Sequence, residues 1–244
     1  MKNILYVERL KLKRSRLWLL YFIGPMLGVL LAYTNFYKNY DLFMQPGDNA
    51  WLEAWTQVAL FMGPFVLPIL VGIYAAFVCR GEHVGGGWKQ LLALPVGHSQ
   101  IFLGKFFMVV RMVVITMVIL FGFFTIVGLV KGIAGDFPFL ALLGYMLRGI
   151  LATLPLALLQ LMISIRAKTF GIPLAVSIIF TLPAILVAST PLGQVYPWTQ
   201  PMLAMSPEDE SPIQSYFLFY SLLTGSFTVL LLLGLWRFAK RDTL

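Results

Sequence analysis

Three side chains with metal-ligating chemistry, Cys79, Glu82 and His83, fall at the i, i+3 and i+4 spacing that places residues on one face of a helix. A structural zinc site usually needs four ligands, and no fourth candidate follows nearby in the chain. We therefore expect no metal site, and a capping or docking role for Glu82. The single cysteine also excludes an internal disulfide.

Motifs for nucleophilic catalysis and nucleotide binding are missing as well. The run Gly97-His98-Ser99-Gln100-Ile101 lacks the second glycine of a nucleophile elbow. The sequence contains no phosphate-binding loop, no dinucleotide-binding loop and no zinc-protease motif. We therefore expect no catalytic residue in this chain, and an intramembrane enzyme is the weakest alternative.

The elements that must position these residues are apolar helices. The chain is 59% hydrophobic and 11% charged with a mean hydropathy of +0.86, whereas soluble domains carry about 25% charged residues. Runs long enough to cross the bilayer predict an all-α integral membrane protein, a single transmembrane domain over residues 1–244. The six predicted spans cover residues 17–37, 57–79, 106–130, 139–165, 171–190 and 216–236.

Basic residues near the ends of the spans predict the orientation. Of the 18 lysines and arginines, 14 fall on the side that carries both termini and the 80–105 loop. That side is therefore predicted to be cytoplasmic, in a plasma membrane, and the net charge of +8 indicates contact with anionic lipid headgroups rather than with nucleic acid. The opposite side carries more acidic than basic residues and should attract cations.

Proline marks two further features. Pro64 and Pro68 predict a bent second span, because each removes a backbone donor, although prolines are also frequent in ordinary membrane packing. The outer segment 191–215 contains five prolines and is longer than a connection between adjacent helices requires. Short re-entrant or interfacial helical turns would suit it.

The cytoplasmic loop at 80–105 is predicted to contain a short transverse helix. Trp88, Leu91 and Leu92 recur at i, i+3 and i+4 and give that helix an apolar face, and Pro95 ends it. Ser99 is a candidate N-cap for the third span.

A basic helix is predicted over residues 1–16, lying along the membrane surface before the first span. Its basic residues include Arg9, Lys11, Lys13 and Arg14. The alternative is a basic tail that only directs topology and makes no defined contact.

The N-terminal segment and the 80–105 loop resemble those of a known family. The run from Glu8 to Ser15, together with Glu82, Gly86-Gly87, the run from Leu91 to Val96 and Lys105, is similar to the permease subunits of type-2 ABC transporters. More narrowly, Tyr196-Pro197-Trp198 with Pro201, and Glu82-His83, resemble the lantibiotic-immunity permeases of Gram-positive bacteria.

The resemblance implies a function without catalysis by this chain. Two copies of a cytosolic ATPase subunit would bind ATP and Mg²⁺, and a second permease copy or a sister permease would complete the transporter. The coupling helix in the 80–105 loop would dock on the ATPase subunit. The docking residues implied are Glu82, Gly86, Trp88, Lys89, Leu91, Leu92 and Pro95.

Two arginines fall within predicted spans. Arg111 is close enough to the inner end to reach the headgroups, whereas Arg148 lies near mid-bilayer, where an unpaired charge is costly. No span offers an acidic partner, so we expect Arg148 to contact backbone carbonyls, amides such as Gln160 or Gln57, water or another subunit. Arg148, Gln160 and Trp198 are the candidates for a central cavity or a subunit interface.

The leading hypothesis is a permease of an ATP-driven exporter that expels antimicrobial peptides. Export of another hydrophobic compound or ion is the alternative within transport. A membrane sensor or scaffold that recruits a cytosolic protein through the same loop is the alternative outside it.

Overall fold

A computed structural model describes residues 2–13, 16–84, 86–93 and 95–240, with Lys2, Asn3, Leu12 and Lys13 described by their backbone alone. Every regular element in these ranges is helical. The helices are α1 (Lys2–Lys13), α2 (Trp18–Lys38), α3 (Tyr40–Phe43), α4 (Ala50–Phe61), α5 (Leu67–Arg80), α6 (Gly87–Leu92), α7 (His98–Lys131), α8 (Phe139–Arg166), α9 (Gly171–Thr181), α10 (Ala184–Ala188), α11 (Gln200–Met205) and α12 (Tyr216–Ala239). The all-α prediction is confirmed for the described part of the chain.

Five helical segments in the described ranges are long and apolar enough to cross a bilayer: 18–38, 50–83, 98–131, 139–166 and 216–239. The sixth predicted span, 171–190, is divided instead into α9 and α10. Pro183 stands between them, and the 11 residues of α9 extend only about 16 Å at 1.5 Å per residue. Five of the six predicted spans are thus single helical segments of sufficient length, whereas the sixth predicted span consists of two shorter helices joined at Leu182 and Pro183.

The second span is interrupted where the prolines predict a bend. Between α4 and α5 the backbone forms one π-helical turn, Met62–Val66, which includes Pro64 and is followed by Pro68. A side chain on Gly63 would lie 2.5 Å from the Cα of Met202. Glycine at this position therefore lets α11 approach the π turn backbone to backbone.

The segment after α10 returns into the helical bundle. In α11, Leu203, Ala204 and Met205 are buried, and this short helix packs against α8 and the π turn. The indole Nε1 of Trp55 donates a hydrogen bond to the carbonyl of Met205 at 2.9 Å. The re-entrant form predicted for part of the 191–215 segment agrees with this packing.

The third spanning helix begins earlier than hydropathy predicts. α7 begins at His98 rather than near residue 106, so the last eight residues of the predicted 80–105 loop are helical. Gly97 occupies the N-cap position, and no side chain caps the helix, which makes the Ser99 prediction wrong. α1 crosses α7 closely, since a side chain on Gly104 would lie 2.6 Å from Cγ2 of Ile4.

Candidate functional site

The short transverse helix predicted between the second and third spans is α6, six residues long. Gly86 precedes it with φ of 75°, a left-handed conformation that glycine adopts without strain. A side chain on Gly87 would lie 2.8 Å from the Cα of Glu82. The two glycines thus fold the start of α6 tightly against the 3-10 turn Gly81–His83.

The apolar face of α6 is turned toward the rest of this chain. Trp88 is 4% exposed, its Nε1 donates to Nδ1 of His83 at 3.2 Å, and its ring contacts Phe238 of α12 edge-on at 5.9 Å. Leu91 and Leu92 are half-buried against the same core. The sequence analysis predicted that this face docks on a partner; the burial of Trp88 corrects that assignment for its side chain.

The α6 segment borders an open groove. Gly86, Lys89 and Pro95 are exposed. Lys89 lines a groove of about 340 Å³ with Arg166 and Lys168, at and just after the end of α8. The rest of its lining is formed by Glu82, His83, Gly86 and Trp88. We define this groove, with its three cations, as the basic groove. It is an open groove beside α6.

Glu82 lines the basic groove, but its carboxylate is paired within the chain. Its carboxylate is buried and lies 3.0 Å from Nζ of Lys105 through Oε2 and 2.5 Å from Nζ of Lys11 through Oε1. The prediction that Glu82 contacts a partner is therefore corrected, because its carboxylate is already paired within the chain.

The carboxylate of Glu8 completes this cluster. Its Oε1 lies 3.0 Å from Nζ of Lys11 and 3.2 Å from Nζ of Lys105. Lys105 is fully buried and also donates to the carbonyl of Val78 at 2.8 Å. We call Glu8, Lys11, Glu82 and Lys105 the charge quartet. It joins α1, the loop before α6 and the start of α7 at one point.

The quartet is electrically balanced, with two carboxylates and two ammonium groups. Burial lowers the pKa of Lys11, but the hydrogen bond with Glu82 and the charges of Glu8 and Glu82 raise it, and the net pKa lies above its ordinary value. Lys11 is therefore charged at neutral pH. Removing Lys105, the fully buried cation of the network, should cost about 3–5 kcal/mol, because buried negative charge is then left without its partner.

The basic residues predicted in the interfacial helix differ in their exposure to solvent. Arg9 is exposed on α1, and Lys11 is half-exposed through its side chain although its ammonium joins the quartet. Lys13 is described by its backbone alone, as the last residue of α1, and Arg14 lies outside the described residues.

Arg148 has a partner that the sequence analysis did not foresee. Its Nη1 lies 3.1 Å from Oε1 of Glu208 in the segment after α11. Its guanidinium also lies over the ring of Tyr145 at 4.6 Å and that of Tyr216 at 6.0 Å. The expectation of a carbonyl, amide or water partner is wrong for this contact, because the re-entrant fold brings an acidic residue down to the helix from 60 positions away.

Arg148, Gln160 and Trp198 do not share contacts. Gln160 is fully buried twelve residues further along α8, about 18 Å by helix rise, and no described residue hydrogen-bonds its side-chain amide. Trp198 is 4% exposed and stacks on Phe180 at 5.0 Å. Arg148 faces Glu208, so the three residues are not gathered at one cavity.

Sequence reasoning quoted Glu8 and Lys105 only as part of a family pattern and missed that they pair. The sequence held a signal for this pairing. The chain has few charges, and Glu8 and Lys105 both lie near the predicted cytoplasmic face on separate segments. Composition alone could not specify which of 14 cations on that side would be buried.

The comparisons with known proteins are consistent with this arrangement. Residues 4–184 match the model of a family described as ABC-2 family transporter protein, which is about three quarters of the chain. A comparison with curated proteins gives no match. Members of this family typically work with a separate ABC ATPase. A helical chain with several spanning segments and a family match over most of its length is thus a membrane component of an ABC transporter, and it belongs to the ABC-2 family.

Proposed function

We propose that this chain is the permease subunit of an ATP-driven exporter that expels antimicrobial peptides of the lantibiotic type. Two ATPase subunits bind ATP and Mg²⁺ and dock on the α6 face, with a second permease copy or a sister permease completing the complex. Both termini are cytoplasmic in a bacterial plasma membrane, which the distribution of basic residues supports.

The observation that carries the coupling role is the charge quartet. Displacement of α6 acts on Glu82, which lies five residues before the start of the helix. The Glu82 carboxylate forms ion pairs with Lys11 of α1 and Lys105 of α7. Since separating these buried charges costs several kcal/mol, the loop and both helices move together. A push on α6 therefore reaches a helix that crosses the membrane.

The basic groove supports an acidic contact on the ATPase subunit. Lys89, Arg166 and Lys168 come from two chain segments and line one concave surface. Complementary charge favours encounter and fixes orientation at such an interface. Carboxylates on the partner would satisfy these cations.

A peptide substrate with cationic character is supported by the opposite face of the bundle. Asp48, Asp209 and Glu210 are exposed, and the charges of all three act on one residue, Glu53 at the start of α4. Two outer segments, 44–53 and 206–215, thus place carboxylates together, and such a cluster raises the local concentration of cations.

The docking experiment uses Lys89→Glu, with Lys38→Glu on the opposite face as the matched control, since both lysines are exposed. The permease is co-expressed with its ABC ATPase subunit, and co-purification and ATP turnover are measured. Lys89→Glu should reduce both at least about tenfold, as expected when a charge pair at an interface becomes a like-charge contact. Equal ATPase recovery with the two variants would refute docking at the basic groove.

The substrate experiment is separate. A sensitive strain expressing the permease and its ATPase is exposed to a lantibiotic, with an ATPase variant unable to hydrolyse ATP as the control. Protection that requires hydrolysis supports the proposal. Intact complex formation without protection points to another hydrophobic compound or ion, and recruitment without ATP turnover points to a sensor or scaffold.

A further inference from the structure

A groove of about 440 Å³ opens between α1, α2 and α7 and is separate from the basic groove. Its walls include two arginines, Arg9 of α1 and Arg111 of α7, both exposed. No carboxylate among the described residues pairs with either guanidinium. We call it the arginine groove.

The rest of the lining is amphipathic. Met108, Met112 and Ile115 of α7 supply apolar lining, and Tyr6 and Tyr21 add two phenol rings. A guanidinium binds phosphate oxygens through two parallel hydrogen bonds, and a phenol hydroxyl can donate another. The groove therefore offers donors for a phosphate and an apolar surface for a hydrocarbon chain.

The depth of the two arginines fits a lipid rather than a soluble anion. α1 crosses α7 at Gly104, and Arg111 lies seven residues further along, about 10 Å deeper by helix rise. A long arginine side chain at that depth extends back toward the headgroup layer. Arg9 reaches the same layer from the surface helix α1. A phospholipid whose phosphate lies between Arg9 and Arg111 therefore has its acyl chains beside α7.

The described lining of the arginine groove contains no carboxylate that would repel an anionic ligand. Glu8 is adjacent to Arg9 in sequence, but its carboxylate is buried and paired with Lys11 and Lys105. The volume lies within the range of small-ligand sites. Unpaired arginines at the end of an open groove are thus free to meet an external anion.

We propose that the arginine groove binds the phosphate of one anionic phospholipid, in the leaflet that faces α1. Bound there, the lipid contacts α1, α2 and α7 together and holds the surface helix against the bundle. The site does not depend on the ATPase subunit or on the transported substrate, so its failure would leave the proposed function standing.

The test uses the purified full chain in a neutral detergent and a fluorescent phosphatidylglycerol, with phosphatidylcholine and inorganic phosphate as competitors. Wild-type protein should bind one phosphatidylglycerol and release it to neither competitor. At about fivefold per basic residue near a lipid phosphate, Arg9→Gln with Arg111→Gln should weaken binding about 25-fold. Arg9→Lys with Arg111→Lys should retain most of it.

The matched control is Arg16→Gln with Lys240→Gln, which removes two exposed cations from the same face outside the groove. It should change affinity less than about twofold. Each single arginine variant is measured as well, so that the result does not depend on the double variant folding. Equal losses in the two double variants, equal binding of phosphatidylcholine, or displacement by inorganic phosphate would each overturn the proposal.

Discussion

Replacing Lys105 with methionine tests the charge quartet most directly. The Lys105 side chain is fully buried, and its ammonium contacts the carboxylates of Glu8 and Glu82 and the carbonyl of Val78. Methionine keeps most of the volume and removes the charge. Two buried carboxylates would then share only Lys11, whose side chain is 39% exposed, and the cluster would carry one net negative charge.

The magnitude follows from this imbalance. Removing one partner of a buried ion pair costs about 3–5 kcal/mol, and the remaining Lys11 places the expected loss near the lower limit, about 3 kcal/mol. For a chain of this size about 1 kcal/mol corresponds to roughly 2–4 °C in Tm. Lys105→Met should therefore lower Tm by about 6–12 °C, as measured by thermal unfolding of the purified protein in detergent.

A second variant restores the balance. Glu82→Gln combined with Lys105→Met leaves Glu8 facing Lys11 as a neutral pair. The double variant should be more stable than the sum of its single variants predicts, by a coupling energy of about 1–3 kcal/mol.

The comparison variant is Lys11→Met, which removes the partly exposed cation and should cost about 1 kcal/mol because solvent screens that position. If it were as damaging as Lys105→Met, or if the effects of Glu82→Gln and Lys105→Met simply added, the reasoning from burial and charge balance would be wrong.

Three further outcomes are expected. Gly63→Ala should lower stability by about 1–3 kcal/mol through overpacking against α11, measured as Tm. Gly225→Ala should not destabilise the protein, because the position that its Cβ would take is open. Equal effects of the two substitutions would contradict the close approach of α11 to Gly63. Trp88→Glu should reduce the yield of folded permease expressed without any ATPase, because it places a charge in a buried position; normal yield would show that Trp88 is accessible. Arg148→Gln should shift Tm by no more than about 4 °C, since its ion pair is open to solvent, and a larger shift would indicate a buried role.

The helical membrane architecture was predictable because the bilayer imposes it. Backbone groups in hydrocarbon must be satisfied within the segment, so long apolar runs can only be helices, and their lengths are readable from the sequence. Proline chemistry likewise located the break in the second span and the irregular segment after residue 190. Hydropathy gave 171–190 as one continuous run, because it does not register that Pro183 divides the run into α9 and α10.

The face of α6 was only half predictable. Periodicity establishes that Trp88, Leu91 and Leu92 share one side of a helix. It cannot say whether that side is covered by a partner or by the chain itself. Phe238, 150 residues later, covers Trp88, and the exposed side is the one that carries Lys89.

The sequence by itself determined an apolar helical chain with an uneven distribution of charge, since composition and segment length act through local physical chemistry. Only the tertiary structure decided which charges meet. Glu8 pairs with Lys105 across 97 residues and Arg148 with Glu208 across 60, and ion pairing depends on distance in space rather than on position in the chain. For that reason the residues that join α1, α6 and α7 could be named from the sequence, but their connection could not.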